Sequence, residues 1–334
     1  KLLNHKGEFI DAKSGAQVLQ IAQNKNITFA AVENLGSIIQ KEGAIKRHIE
    51  ATLALPIVEV EKIRKENFKV VVDAVNSSGG IAVPQLLEAL NIEVIKLYCE
   101  PNGHFPHNPE PLKKHLEDLS KEVLAQQADF GIAVDPDVDR LVFMDEKGNL
   151  FGEEYTLVAC ADYVLKKTPG PTVSNLSSTR ALAEISQRYQ QSYFASAVGE
   201  LNVVEIMKKS NAVIGGEGNG GVIYPDLHYG RDALVGIVLF LSLLVEKKCT
   251  VSQLKEQYPA FYMEKTKVNL PKDIKIDVLM NQMAQLYAKE QISKEDGVKI
   301  DFDDSWVHLR KSNTEPIIRI YTEAKTQKEA TYLA

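Results

Sequence analysis

Apolar and polar residues along this chain switch between two rhythms: short unbroken apolar runs suited to buried strands, and longer stretches repeating every three to four positions. Phe68–Val72 is a β-branched strand, followed by a loop at Asp73–Gly80 and a helix at Val83–Leu90. Glu93–Leu97 gives a second strand, Pro101–Pro111 a proline-rich loop, and the region around Leu112–Gln126 a helix. Phe130–Val134 and Leu141–Met144 then read as two buried strands joined by a tight turn. After Asp145–Asn149 the order repeats. A helix at Tyr155–Lys167 stops at Thr168-Pro169-Gly170-Pro171, followed by a strand at Thr172–Asn175, a polar loop at Ser177-Ser178-Thr179 and a helix at Arg180–Tyr189. Ala212–Gly215 enters a loop at Gly216–Gly221 that leaves through Val222-Ile223-Tyr224. Two successive α/β units, each with a strand-loop-strand at the matching place, point to duplicated domains.

Flanking segments complete the picture. Residues 1–42 lack the apolar density of a core of their own, carry one surface helix at Gln17–Phe29, and read as the tail of an earlier domain. A helix at Ala44–Leu55 is closed by Pro56. Ala233–Val245 is apolar on every side, which makes it a buried helix, with Asp232 as its N-cap. Tyr258-Pro259-Ala260 looks like a hinge. A smaller α+β unit comes next, with strands near Tyr262–Leu270, Val298–Phe302, Trp306–Leu309 and Ile317–Tyr321 and a helix at Val278–Ala288. The expected fold class is therefore α/β and multidomain, with boundaries at 1–42, 43–152, 153–258 and 259–334 and a smaller α+β domain at the end.

Composition narrows the function. A net charge of −6 argues against nucleic acid or an anionic membrane as the main partner. The apolar run Ala233–Val245 is too short to span a bilayer. Cys99, Cys160 and Cys249 are odd in number and lack metal spacing, so they read as reduced thiols of a cytoplasmic protein.

Three loops carry the candidate chemistry. In Asp135-Pro136-Asp137-Val138-Asp139-Arg140 three carboxylates stand at i, i+2 and i+4, so in an extended segment they converge. Crowded carboxylates repel, and a hard divalent cation relieves them; all-oxygen ligands favour Mg²⁺ or Ca²⁺. A solvated acidic turn is the other reading. An EF-hand is excluded because Arg140 takes the place of its obligatory glycine and the flanks are strands. The second loop, Gly216-Glu217-Gly218-Asn219-Gly220-Gly221, matches G-x-G-x-x-G in letters. It leads into an extended segment ending at Pro225, not into the helix a dinucleotide needs. What remains is either a glycine turn or a loop whose Glu217 and Asn219 can bond sugar hydroxyls. The third, Arg310-Lys311-Ser312-Asn313-Thr314-Glu315-Pro316 with Arg319 beyond, is a solvated polar turn or a phosphate site.

Taken in this order, DPDVDR, GEGNGG and RKSNTEP resemble the metal, sugar and phosphate loops of the α-D-phosphohexomutases. This superfamily comprises phosphoglucomutase, phosphomannomutase and phosphoglucosamine mutase. The resemblance implies four α/β domains around a central cleft, of which this chain would hold the end of the first and most of the rest. It implies a hexose phosphate as the partner and a phosphoserine as carrier, with a hexose 1,6-bisphosphate as intermediate and activator. It also implies Mg²⁺ on Asp135, Asp137 and Asp139, with Arg140 pairing with those carboxylates or with the phosphoserine. Glu217 and Asn219 would hold ring hydroxyls, Arg231 would support them, and Arg310, Ser312, Asn313, Thr314 and Arg319 would grip the non-reacting phosphate.

The departures also inform. The family's T-A-S-H-N-P phosphoserine motif does not occur in the 334 residues. Lys1-Leu2-Leu3 resembles the family's segment immediately downstream of that motif, which makes Lys1 either an ordinary surface lysine or the general acid/base and leaves this stretch alone without sustained mutase activity. The GEGNGG and RKSNTEP variants lean towards phosphoglucosamine mutase, with the glucose and mannose enzymes behind it. The rival readings are a non-catalytic sugar-phosphate-binding protein and a Mg²⁺-dependent phosphatase using a carboxylate of the acidic loop as nucleophile.

Overall fold

The computed structural model describes residues 2–24, 27–269, 276–311 and 317–334. Near the start, α1 (Ala12–Asn24) buries none of its residues. It begins earlier than the Gln17–Phe29 pattern suggests, because Asp11 accepts from the Ser14 backbone N–H and starts the helix there.

The first unit runs α2 (Ala44–Leu53), α3 (Val60–Glu66), β1 (Lys69–Asp73), α4 (Gly79–Ala89), β2 (Glu93–Leu97), α5 (Glu117–Gln126), β3 (Phe130–Val134) and β4 (Leu141–Met144). Its sheet has the order β2-β1-β3-β4. β1 pairs parallel with both β2 and β3, and β4 returns antiparallel to β3. Continuous burial of β3 and β4 fits strands covered on both faces. The helix expected around Leu112–Gln126 starts only at Glu117, after a short 3₁₀ turn at Lys113–His115.

The second unit runs α6 (Glu153–Lys167), β5 (Thr172–Asn175), α7 (Ala181–Arg188), β6 (Tyr193–Ser196), α8 (Glu200–Ser210), β7 (Ile214–Glu217), β8 (Gly221–Ile223), α9 (Ala233–Lys247) and α10 (Val251–Lys255). Its sheet order, β6-β5-β7-β8, and its strand directions repeat those of the first. The third unit holds β9 (Tyr262–Asn269), α11 (Ile276–Leu286), β10 (Gln291–Ser293), β11 (Val298–Asp301), β12 (Trp306–Lys311), β13 (Ile317–Ala324) and α12 (Gln327–Leu333). Its five strands form an antiparallel sheet in the order β10-β11-β12-β13-β9.

Helix α9 shows why an all-round apolar segment exists here. Asp232 caps it, accepting from the backbone N–H groups of Leu234 and Val235, and every residue from Ala233 to Val245 is buried. It packs on α6 and β8 of its own unit and on α2, α3 and α4 of the first. Phe240 stacks on Phe143 of β4 with centroids 3.7 Å apart. The first two units consequently share one continuous apolar core, whereas α11 and the antiparallel sheet enclose another. The third unit is fastened at its entry by Tyr155, whose hydroxyl donates to the Pro259 carbonyl at 2.6 Å and accepts from the Phe261 N–H at 2.9 Å. No helix among the described residues is long and apolar enough to cross a membrane. Cys99, Cys160 and Cys249 are free thiols.

Candidate functional site

In the acidic turn, residues 135–140 connect β3 to β4. The Asp135 carboxylate folds back to accept from the N–H groups of Asp139 and Arg140, both at 3.0 Å, which sets the turn. Asp135 and Asp139 are buried and Asp137 is exposed. One carboxylate oxygen from each lies within 4.8 Å of the others. Burial, reinforced by the charges of Asp139 and Asp137, pushes the Asp135 carboxyl up to about 7. Three converging hard oxygens, one of them open to solvent, fit a divalent cation such as Mg²⁺. Outside the turn, the hydroxyls of Ser77 and Ser78 donate to the Pro136 carbonyl at 2.8 and 2.7 Å and hold its tip against the start of α4.

The glycine loop connects β7 to β8 in the equivalent hairpin. Glu217 is buried, and its Oε1 accepts from the Asn175 amide at 2.8 Å and the Gly199 N–H at 3.1 Å. The Gly218 N–H donates to Ser178 Oγ at 3.0 Å, while Asn219 Oδ1 accepts from the Gly221 N–H. Gly220 has φ +89°, and a Cβ there would lie 2.4 Å from the Leu141 carbonyl oxygen. That close approach lets the Gly220 carbonyl accept from the Leu141 N–H at 3.0 Å, fastening the glycine loop to the acidic hairpin.

Arg231 is the centre of the arrangement. One guanidinium nitrogen lies 2.7 Å from Asp139, another 2.8 Å from Glu217, and its Nε 3.2 Å from Glu200. Burial works against its charge, and the three carboxylates more than compensate, so its pKa is raised. Sequence alone assigns Arg231 a supporting role without identifying these partners, and it passes over Glu200, which no motif marks. Arg140 lies 3.2 Å from Glu110 and 3.6 Å from Asp135.

A cleft of about 400 Å³ lies among the three units. Arg140 of the first, Asn175, Ser177, Glu217, Gly218 and Asn219 of the second, and Lys265, Arg310, Arg319 and Tyr321 of the third line it. The three aspartates are not in this lining; Asp137 faces an adjoining hollow. Arg310 is oriented by Asp296 at 2.8 Å. Lys265 reaches across to Glu154 at 3.1 Å, and buried His308 accepts from or donates to Ser177 Oγ at 2.9 Å through Nδ1. Lys1, Ser312, Asn313 and Thr314 lie outside the described residues.

Comparison with known proteins agrees with this architecture. Family models for phosphoglucomutase/phosphomannomutase match alpha/beta/alpha domain II at residues 46–148, alpha/beta/alpha domain III at 152–262 and the C-terminal domain at 266–334. A phosphoglucomutase/phosphomannomutase of Thermococcus kodakarensis is 36% identical over 99% of this chain and 72% of its own length. A probable phosphoglucosamine mutase of Methanopyrus kandleri is 32% identical over 89% of this chain and 66% of its own. A crystal structure of a phosphoglucomutase/phosphomannomutase family protein from Burkholderia thailandensis superposes with a TM-score of 0.83 at 23% identity, covering 97% of this chain and 68% of that one. Three matched domains, following one another along residues 46–334, make the chain a member of the phosphoglucomutase/phosphomannomutase family.

Proposed function

We propose that this chain supplies the metal-, sugar- and phosphate-binding parts of a phosphohexomutase that moves phosphate between O1 and O6 of a hexose phosphate, with glucosamine phosphate as the preferred substrate. The observation that carries the reading is Arg231, which joins Asp139 of the acidic turn to Glu217 of the glycine loop beside a cleft walled by Arg140, Arg310 and Arg319. Acidic side chains share that wall, Glu110, Glu153, Glu154 and Glu217 among them, so it suits both phosphate anions and a protonated amine at C2.

In this reading the P–O bond to a phosphoserine breaks as a sugar hydroxyl attacks phosphorus and gives up its proton, for which Lys1 is the assigned acceptor. The resulting 1,6-bisphosphate turns over in the cleft, and its other phosphoryl group passes back to the serine. Bound to Asp135, Asp137 and Asp139, Mg²⁺ supplies electrostatic stabilisation of charge on the transferring group. Arg140 neutralises the phosphoserine end. Glu217 and Asn219 hold ring hydroxyls in either orientation of the intermediate. Arg310 and Arg319, with Ser312, Asn313 and Thr314, grip the remote phosphate and convert its binding energy into positioning of the reacting end.

A phosphoserine of the T-A-S-H-N-P type is not among the 334 residues, so the test uses the full-length gene product. Supplied with Mg²⁺ and a trace of hexose 1,6-bisphosphate, it should interconvert glucosamine 6- and 1-phosphates faster than the glucose or mannose pairs. A full-length protein inert on all three sugars overturns the proposal. One that binds them without turnover supports the non-catalytic alternative, and release of phosphate without isomer supports the phosphatase.

A further inference from the structure

Beside Arg231, at the hollow that Asp137 also lines, lies a second group of ligand-type side chains that none of the three loops includes. His48 comes from α2 of the first unit, while His228 and Asp232 come from the second. His48 Nε2 is 2.6 Å and His228 Nε2 2.9 Å from the same atom, Oδ2 of Asp232. The two rings are tilted by 51° with centroids 5.9 Å apart, so both nitrogens aim at one point from different directions. We propose that His48, His228 and Asp232 form a second metal site, distinct from the aspartate trio, that takes a borderline divalent cation such as Zn²⁺ and clips the first unit to the second.

Four features of the geometry carry this. Two imidazole nitrogens and one carboxylate oxygen are the donor set of an open zinc site, with further coordination positions left to water. A metal needs these atoms roughly 3.3 Å apart, as Zn–N and Zn–O bonds of about 2.0–2.1 Å in a tetrahedron require. The present spacings are shorter by several tenths of an ångström, an adjustment within reach of side-chain rotation. Next, Asp232 is already oriented: its Oδ1 accepts from Leu234 N–H at 2.7 Å and from Val235 N–H at 3.4 Å, leaving Oδ2 directed at the imidazoles. Access is also open. The His48 and His228 side chains are 37% and 43% exposed, and the group borders a hollow of about 360 Å³ lined by Ala44, Ile45, Ser78 and Asp137. Finally, the neighbouring positive charge is cancelled, because Arg231 points away onto Asp139, Glu217 and Glu200.

Two histidines facing one carboxylate oxygen can be satisfied by protons alone, which gives a hydrogen-bonded triad without metal. The test separates the two states and does not depend on the mutase reading. With millimolar Mg²⁺ present to occupy the acidic turn, the chain is titrated with Co²⁺ and with Zn²⁺. The proposal expects one equivalent of Co²⁺ with the visible bands of a low-coordinate nitrogen–oxygen site, displaced by Zn²⁺. His48→Gln and His228→Gln should each weaken binding by at least about tenfold. Asp137→Asn should leave it unchanged. Zn²⁺ should also raise the melting temperature of the wild type and not that of either histidine variant. Absence of stoichiometric binding, equal affinity in the wild type and both histidine variants, or loss of the bands in Asp137→Asn overturns the proposal. Melting curves in Mg²⁺ alone identify a variant that has failed to fold, and the other histidine variant then decides.

Discussion

The first and second units have the same strand order and directions, and each ends in a hairpin with a special connection, yet the two connections differ in every respect that matters for chemistry. Between β3 and β4 the turn carries carboxylates and closes on itself through Asp135. Between β7 and β8 the turn carries glycines and is held by neighbours: Ser178, Asn175, Leu141 and Arg231. One scaffold thus presents a rigid cluster of charge in one copy and a closely approachable backbone in the other. The architecture sets where a loop stands, and the loop sets what it binds.

The comparison predicts that residues joining the two hairpins matter more to stability than residues within either one. The largest effect should come from Arg231→Met, which leaves Asp139, Glu217 and Glu200 facing one another without their shared cation. Loss of one partner of such a buried set costs about 3–5 kcal/mol. Chemical denaturation would measure it, and a loss near zero would mean the hairpins are held independently. Gly220→Ala comes next. Its positive φ and the Leu141 carbonyl in the path of a Cβ should together cost about 2–3 kcal/mol.

An effect seen only on acidification is expected at the seam with the third unit. Burial lowers the pKa of His308 to about 4, so on acidification the unfolded imidazole takes a proton before the folded one. Its contribution should therefore be lost as pH falls from about 6.5 towards 4, by about 1.4 kcal/mol per pH unit across that window. His308→Gln should flatten that part of the stability profile, and an unchanged slope would contradict the assignment. His48 and His107 are raised by their hydrogen bonds to Asp232 and Asp73, so their contributions run with the opposite sign and persist in the variant. Smallest for stability is Asp137→Asn. As the exposed member of the trio it should change ΔG of unfolding by under about 0.5 kcal/mol. The same change should weaken Mg²⁺ binding by at least about tenfold, measured by calorimetry. A large stability loss there would erase the distinction between joining residues and binding residues.

The chain's apolar rhythm made much of this readable. β3 and β4 fall where their unbroken apolar runs predict, because strands buried on both faces need little but apolar side chains, and β2 and β5 also match their expected spans. Partly exposed elements were harder. β6 has only Ser196 buried, α8 mixes its apolar face with Glu200 and Asn202, and α3 (VEKIRKE) buries only Ile63, so none carries a strong period. The repeat of the two units was legible as an order of elements. In the site, the acidic and glycine turns were visible because their residue types are unusual. Arg231 was assigned its supporting role without its partners and Glu200 was passed over, since these groups are far apart in sequence and meet only once β8 and α8 are in place. The turn at 312–316 lies outside the described residues, so only its flanks, Arg310 and Arg319, can be placed on the cleft wall.

Because α9 is embedded in both α/β sheets' packing, prising the first unit from the second would expose a stretch of hydrocarbon at about 25 cal/mol for every Å² wetted. The antiparallel unit has an interior of its own, and a tyrosine hydroxyl holds its entry segment. The wall bearing Arg310 and Arg319 is thus joined to the frame of carboxylates and glycine turn by polar contacts, Arg180 to the Asp303 carbonyl and Lys265 to Glu154 among them.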